Sequence, residues 1–71
     1  MIDINIGDLI KLNISFMDYH DYERINSQLW LVVMVMRHTI CSYKLFNFND
    51  RKYHWFMLED NEIKVVSKNE I

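Results

Sequence analysis

The first sixteen residues alternate. Ile2, Ile4, Ile6, Ile10, Leu12, Ile14 and Phe16 stand at even positions, and Asp3, Asn5, Gly7, Lys11, Asn13 and Ser15 at odd ones; only Asp8 and Leu9 break the pattern. A period of two places alternate side chains on opposite faces of an extended strand. Three more apolar runs follow, separated by polar joints. The chain therefore reads as a small all-β domain.

The first strand is expected at residues 8–14, with Gly7 as a bend leading into it, since glycine reaches backbone angles other residues avoid. Residues 15–28 are polar, mixed in charge and aperiodic. They read as a long excursion loop, with a helical turn open within residues 18–25, where Asp, His, Tyr and Asn are weak helix formers. Residues 30–36 form the second strand, dominated by β-branched and aromatic types. The third strand is expected at 40–48, a turn at Asn49-Asp50-Arg51, the fourth strand at 52–57, a short helical turn at 58–62 and the last strand at 63–66. Residues 1–5 and 67–71 are expected to fray.

The second strand is apolar on both sides. Leu31, Val33 and Val35 are assigned to the interior, which turns Trp30, Val32, Met34 and Met36 outward. The expected core is Ile10, Leu12, Leu31, Val33, Val35, Tyr43, Leu45, Trp55, Leu58, Ile63 and Val65, because every second residue of each strand in a bent sheet points to the same interior.

A chain of 71 residues makes one domain. Domains this small bury only about 60% of their unfolded surface and often add disulfides, a metal or association. Hydrophobic residues make up 51% and aromatics 14%, which excludes disorder. Cys41 is the single cysteine, so no intrachain disulfide forms, which suits a reducing compartment. The N-terminus lacks the basic start of a signal peptide, and the longest apolar run, residues 29–36, is far short of the ~20 residues of a membrane-spanning helix. The expected location is the cytoplasm. Alanine and proline are absent while Ile, Asn and Lys abound, the bias of an AT-rich genome.

The order strand, long loop, three consecutive strands, helical turn and closing strand is the layout of a small five-stranded SH3-like barrel. The text Ile6-Gly7-Asp8-Leu9-Ile10-Lys11-Leu12 resembles the opening of many small SH3-like proteins of tailed bacterial viruses. Tyr43-Lys44-Leu45-Phe46, the Asn49-Asp50 turn, Trp55, and the stretch from Leu58-Glu59-Asp60 through Ile63-Lys64-Val65-Val66 resemble their second half. The resemblance spans residues 6–67 and implies a single SH3-like domain, of viral origin and acting in the host cytoplasm. Such proteins usually carry glycine at the start of the second strand, where this chain has Leu29-Trp30-Leu31. Most of that family has no assigned activity, so the resemblance implies a fold more than a function.

Chemistry-bearing residues are few. His38 and Cys41 stand at a ligand-like spacing, but structural zinc takes four ligands, and His20 and His54 supply no second close pair. Asp18, Asp21 and Glu23 lack the pattern of a calcium loop and read as a solvated acidic loop. Cys41 with His38 as nucleophile and base would need a pocket that a domain this small scarcely holds. No enzyme, metal or cofactor is expected.

Two binding readings remain. In the first, the outward residues Trp30, Val32, Met34 and Met36, with Tyr19 and Tyr22 nearby, contact a protein partner or a second copy. Its structural alternative is that Phe16, Met17, Tyr19 and Tyr22 of the loop cover that side. In the second, Arg37, Lys44, Arg51 and Lys52 bind nucleic acid, with Phe46, Tyr53 or Trp55 as stacking platforms. Residues 29–58 hold those four bases against Asp50 alone, whereas the rest of the chain holds nine acids against four bases. A net charge of −2 favours the protein reading, since nucleic-acid affinity comes mainly from counterion release.

Overall fold

The structure, a computed structural model, describes residues 3–15, 22–37 and 41–69. They form a mostly β fold: β1 (Leu9–Leu12), α1 (Tyr22–Ser27), β2 (Trp30–Arg37), β3 (Cys41–Asn47), β4 (Lys52–Met57), a 3-10 turn at Asp60–Glu62, and β5 (Ile63–Ser67). The strands make one open antiparallel sheet in the order β4-β3-β2-β1-β5.

β2 carries a bulge that corrects the expected register. Val32 pairs with Leu45 and Met34 with Lys44, so Val33 is an extra residue between them. Ahead of the bulge the even residues Trp30 and Val32 are buried; beyond it Val35 packs on the core while Met34 and Met36 are exposed. Leu31 and Val33, expected inside, are half-buried and stand outside the core cluster. An inserted residue exchanges the two faces of a strand from that point on. The segment before β1 engages the bulge: Gly7 N–H donates to Val32 O (2.7 Å) and Val32 N–H to Asp8 O (2.9 Å).

A second correction concerns Trp55, which is exposed while Phe56 is buried. Tyr43 pairs with Phe56 and Leu45 with His54, so odd positions of β3 share a face with even positions of β4. The turn between the strands sets that parity. Asn47 Oδ1 accepts from the Asn49 and Asp50 N–H groups, Arg51 N–H donates to Asn47 O, and Arg51 takes the left-handed φ of 57°.

The interior holds Ile4, Ile10, Leu12, Ile14, Trp30, Val32, Tyr43, Leu45, Phe56, Leu58 and Ile63, with Val35 and Val65 packed against them. α1 stands where a loop was expected. A helix of six residues has little intrinsic stability, and this one is anchored by tertiary bonds. Asn26 Oδ1 accepts from Ile14 N–H and Asn26 Nδ2 donates to Ile14 O, both at 2.8 Å, so one side-chain amide replaces a strand partner. Trp30 Nε1 donates to Ile25 O.

Residues 3–5 and 67–69, within the segments expected to fray, are joined by hydrogen bonds around Asp8. The Asp8 carboxylate, fully buried, accepts from Asn5 N–H, Asn69 N–H and Lys68 Nζ. Lys68 Nζ also donates to Asp3 O. Gly7 sits at φ 95°, and a Cβ there would collide with the Asn69 side-chain amide. The positive φ is what favours glycine at that position, and a side chain there would also have to displace the exposed Asn69 amide.

Candidate interaction surface

The bulge in β2 and the parity of the β3–β4 turn together gather apolar side chains on the side of the sheet opposite the core. Three cross-strand rows run over β2, β3 and β4: Leu31–Phe46–Tyr53, Met34–Lys44–Trp55 and Met36–Ser42–Met57. Trp55 is 51% exposed, Tyr53 59% and Met57 65%. Phe46 meets Phe48 edge-on at 5.4 Å and leans against Tyr53 at 5.2 Å, which extends the face to the β3–β4 turn. At the other end Met36, Ser42, Trp55 and Met57 border a shallow groove of about 440 Å³.

Six large apolar side chains here are roughly half exposed: Met34, Met36, Phe48, Tyr53, Trp55 and Met57. Taking about 200 Å² for each whole side chain, they present on the order of 600 Å². That lies at the upper end of the largest patch on an ordinary monomer.

Lys44 is the sole charge in the three rows, and it is half-buried. Its Nζ lies 5.1 Å from the Tyr53 ring centroid and 6.0 Å from that of Trp55, a cation held over two rings. Among the described residues no carboxylate bonds to it. Asp50, at the β3–β4 turn, is occupied elsewhere: it meets His54 Nε2 at 2.8 Å and accepts from Lys52 N–H. Slight burial raises the Asp50 carboxyl, but the His54 and Lys52 bonds outweigh this and hold it below its ordinary value.

The residues expected at a protein contact divide. Met34 and Met36 lie exposed on this face. Trp30 and Val32 do not: they are core residues, because the bulge follows rather than precedes them. Tyr22 is exposed on α1, which contacts β1, and belongs to none of these rows; Tyr19 lies outside the described residues, as do Phe16 and Met17. The four bases named for nucleic acid do not converge. Arg37, at the end of β2, donates to Ile4 O and lies 3.9 Å from Asp3. Arg51 and Lys52 sit at the β3–β4 turn, about 20 Å away along the six residue steps of the seven-residue β3. Lys44 alone keeps company with Phe46, Tyr53 and Trp55.

Sequence reasoning places Trp55 both in the core and among the stacking platforms beside Lys44, and it does not name Met57 as part of a surface; the structure puts both on this face. The signal lay in the turn: with the Asn47–Lys52 pair closing the hairpin, Trp55 falls opposite Lys44.

A second concavity of about 240 Å³ lies between α1 and the β3–β4 turn, floored by Trp30, His54 and Phe56. Its polar rim is already bonded internally, Asn47 to Gln28 and Asp50 to His54. Cys41 is half-buried beside the core; His20, His38, Asp18 and Asp21 lie outside the described residues. Among the described residues no three His, Cys, Asp or Glu side chains gather as a metal site, and no helix is long and apolar enough to cross a membrane.

The chain matches no protein-family model, no curated protein and no solved structure at a significant level.

Proposed function

We propose that the protein is a non-enzymatic protein-interaction module on an SH3-like small barrel, of the kind encoded by tailed bacterial viruses, acting in the cytoplasm. The observation that carries this reading is the outer face of β2, β3 and β4, where an apolar surface of interface composition lies uncovered by any described element. The barrel part draws support from the strand order, with β5 beside β1, three consecutive hairpin strands, and a 3-10 turn ahead of the closing strand. A second copy of the chain is one partner this reading admits.

The test compares wild type with Met34→Glu and Trp55→Ser, each first shown to be folded by circular dichroism. Immobilised wild type should retain a protein partner that both variants lose; were that partner a second copy, wild type would show a concentration-dependent sedimentation coefficient that Met34→Glu abolishes. Identical retention by all three proteins, together with monomeric sedimentation, would remove the reading.

A second reading is nucleic-acid binding, favoured by Lys44 lying among Phe46, Tyr53 and Trp55. Bases stack on such rings. It requires binding that falls steeply with salt and is lost in Lys44→Glu.

A further inference from the structure

Resting on the reading of the outer face as a docking surface, we infer that its occupant is a protein segment that brings a carboxylate to Lys44, with apolar side chains on either side of it. The central row places Lys44 between Met34 and Trp55, and the rows above and below are apolar apart from Ser42. The Lys44 ammonium has three donors, yet its described contacts are two aromatic rings. Covering the face strips water from that ammonium. A buried cation without a partner is strongly unfavourable, so a tight occupant must supply an anion at this point.

This requirement separates the possible occupants. A second copy docked face to face brings another Lys44 and no acid from its own rows, so it adds a like charge instead of a counter-charge. A nucleic-acid backbone carries an anion, but its affinity grows with the number of phosphates neutralised. Here one cation lies among the rings, and Arg37 and Arg51 stand at opposite ends of the sheet. A carboxylate flanked by apolar groups matches the face in both charge and hydropathy.

The spacing adds a pattern. Alternate residues of an extended segment lie about 7 Å apart, the same step that separates Phe46, Lys44 and Ser42 along β3. A segment laid along β3 with an Asp or Glu over Lys44 sets its residues two before and two after over the Phe46–Tyr53 row and the Met36–Met57 groove. The expected motif is apolar, any, acidic, any, apolar.

The experiment selects a random peptide display library on the intact chain and on Lys44→Met. Wild type should enrich that motif, and Lys44→Met should enrich the apolar positions without the acid. A selected peptide, synthesised with Glu and with Gln at the central position, should prefer Glu by about tenfold on wild type and by less than about twofold on Lys44→Met. Apolar peptides without an acid, held equally by both proteins, overturn the carboxylate inference and leave the docking reading standing. No enrichment that depends on Trp55 or Met34 overturns the docking reading itself. Two other outcomes overturn the inference in favour of another occupant: oligo-dT bound through Lys44 more tightly than any selected peptide, or a wild-type dimer that Met34→Glu dissociates.

Discussion

Lys44 and Trp55 face each other as a register pair across the β3–β4 hairpin, the ammonium 6.0 Å from the indole centroid. The adjacent pair, Tyr43 and Phe56, points the other way into the core. One turn therefore decides two things at once: which ring of the Trp55-Phe56 dipeptide fills the interior, and which lies beside the sole charge in an otherwise apolar face.

Lys44 is the one charge in the three rows that would oppose face-to-face association of two copies. Its ammonium interrupts what would be a continuous apolar surface from Phe48 to Met57, and like charges oppose the stacking of two such faces. Lys44→Met should leave urea stability within about 0.5 kcal/mol of wild type, as expected for a half-exposed side chain. It should also produce dimers or larger species in sedimentation velocity at concentrations where wild type is monomeric. Equal sedimentation of the two proteins would show that Lys44 does not limit association.

Asp8 makes stability depend on pH in one direction. Burial raises its carboxyl, but the Asn69 N–H, Lys68 Nζ and Asn5 N–H bonds outweigh this and hold it below its ordinary value. A carboxyl whose pKa is lower in the folded state contributes stability that is fully present above its unfolded value, about 3.9, and is lost as pH falls through the folded one. Wild type should therefore keep its Asp8 contribution between pH 5 and 7 and lose it below pH ~4. Asp8→Asn leaves at least one of those donors without an acceptor and should cost about 2 kcal/mol at pH 7 in urea unfolding. The gap to wild type should narrow at pH ~3, and a gap independent of pH would mean that the carboxylate charge plays no part.

Asn26 holds α1 to the chain after β1 through both ends of its side-chain amide, Oδ1 accepting from Ile14 N–H and Nδ2 donating to Ile14 O. Asn26→Leu keeps the bulk and leaves the N–H and C=O of Ile14 without those partners, a loss of about 2–3 kcal/mol for two part-buried groups. Hydrogen exchange of the Ile14 amide should accelerate more than that of the Leu45 amide in the central strand β3. Uniform acceleration across the sheet would indicate that the Asn26 bonds serve global stability instead of anchoring α1.

How much of this was legible follows from where the alternation is clean. β1 sets Ile10 and Leu12 against Lys11, and β3 sets Tyr43 and Leu45 against Ser42 and Lys44; in both, the expected faces are the observed ones. β2 and β4 are apolar or aromatic on both sides, so period-two reading carries no parity there. Their registers come from contacts distant in sequence or from turn geometry: Gly7 and Asp8 on the Val32 backbone, and the Asn47 cap of the hairpin. The same gap explains the surface. Met34 and Met36 are legible as outward residues, but the bulge turns Trp30 and Val32 inward, and Trp55, which the sequence offers both as a core residue and as a stacking platform, lies on the surface. α1 was obscured for another reason: Tyr22, Asn26 and Ser27 are weak helix formers, six residues are too few for a helix to stand alone, and the Asn26–Ile14 bonds that anchor it are distant in sequence.

The Trp55-Phe56 pair gives the sharpest test of the register. Phe56 is 6% exposed and meets Trp30 edge-on at 5.2 Å, whereas Trp55 is 51% exposed and contacts Lys44. Truncating a buried aromatic costs about 3–5 kcal/mol, which rivals the whole stability of a domain this size, roughly 4–10 kcal/mol at ordinary values per residue. Phe56→Ala should therefore be largely unfolded at 25 °C, and the milder Phe56→Leu should remain folded with a clearly lower urea midpoint. Trp55→Ala should lose less than about 1 kcal/mol, since it gives up a surface cation–π contact and partial burial. That variant also leaves Trp30 as the lone indole, so its fluorescence should be that of a shielded ring, resistant to iodide quenching until the chain unfolds. A Trp55→Ala protein that unfolds as readily as Phe56→Ala, or whose remaining indole is freely quenched, would mean that the hairpin pairs one residue out of step and that the apolar face is built from different side chains.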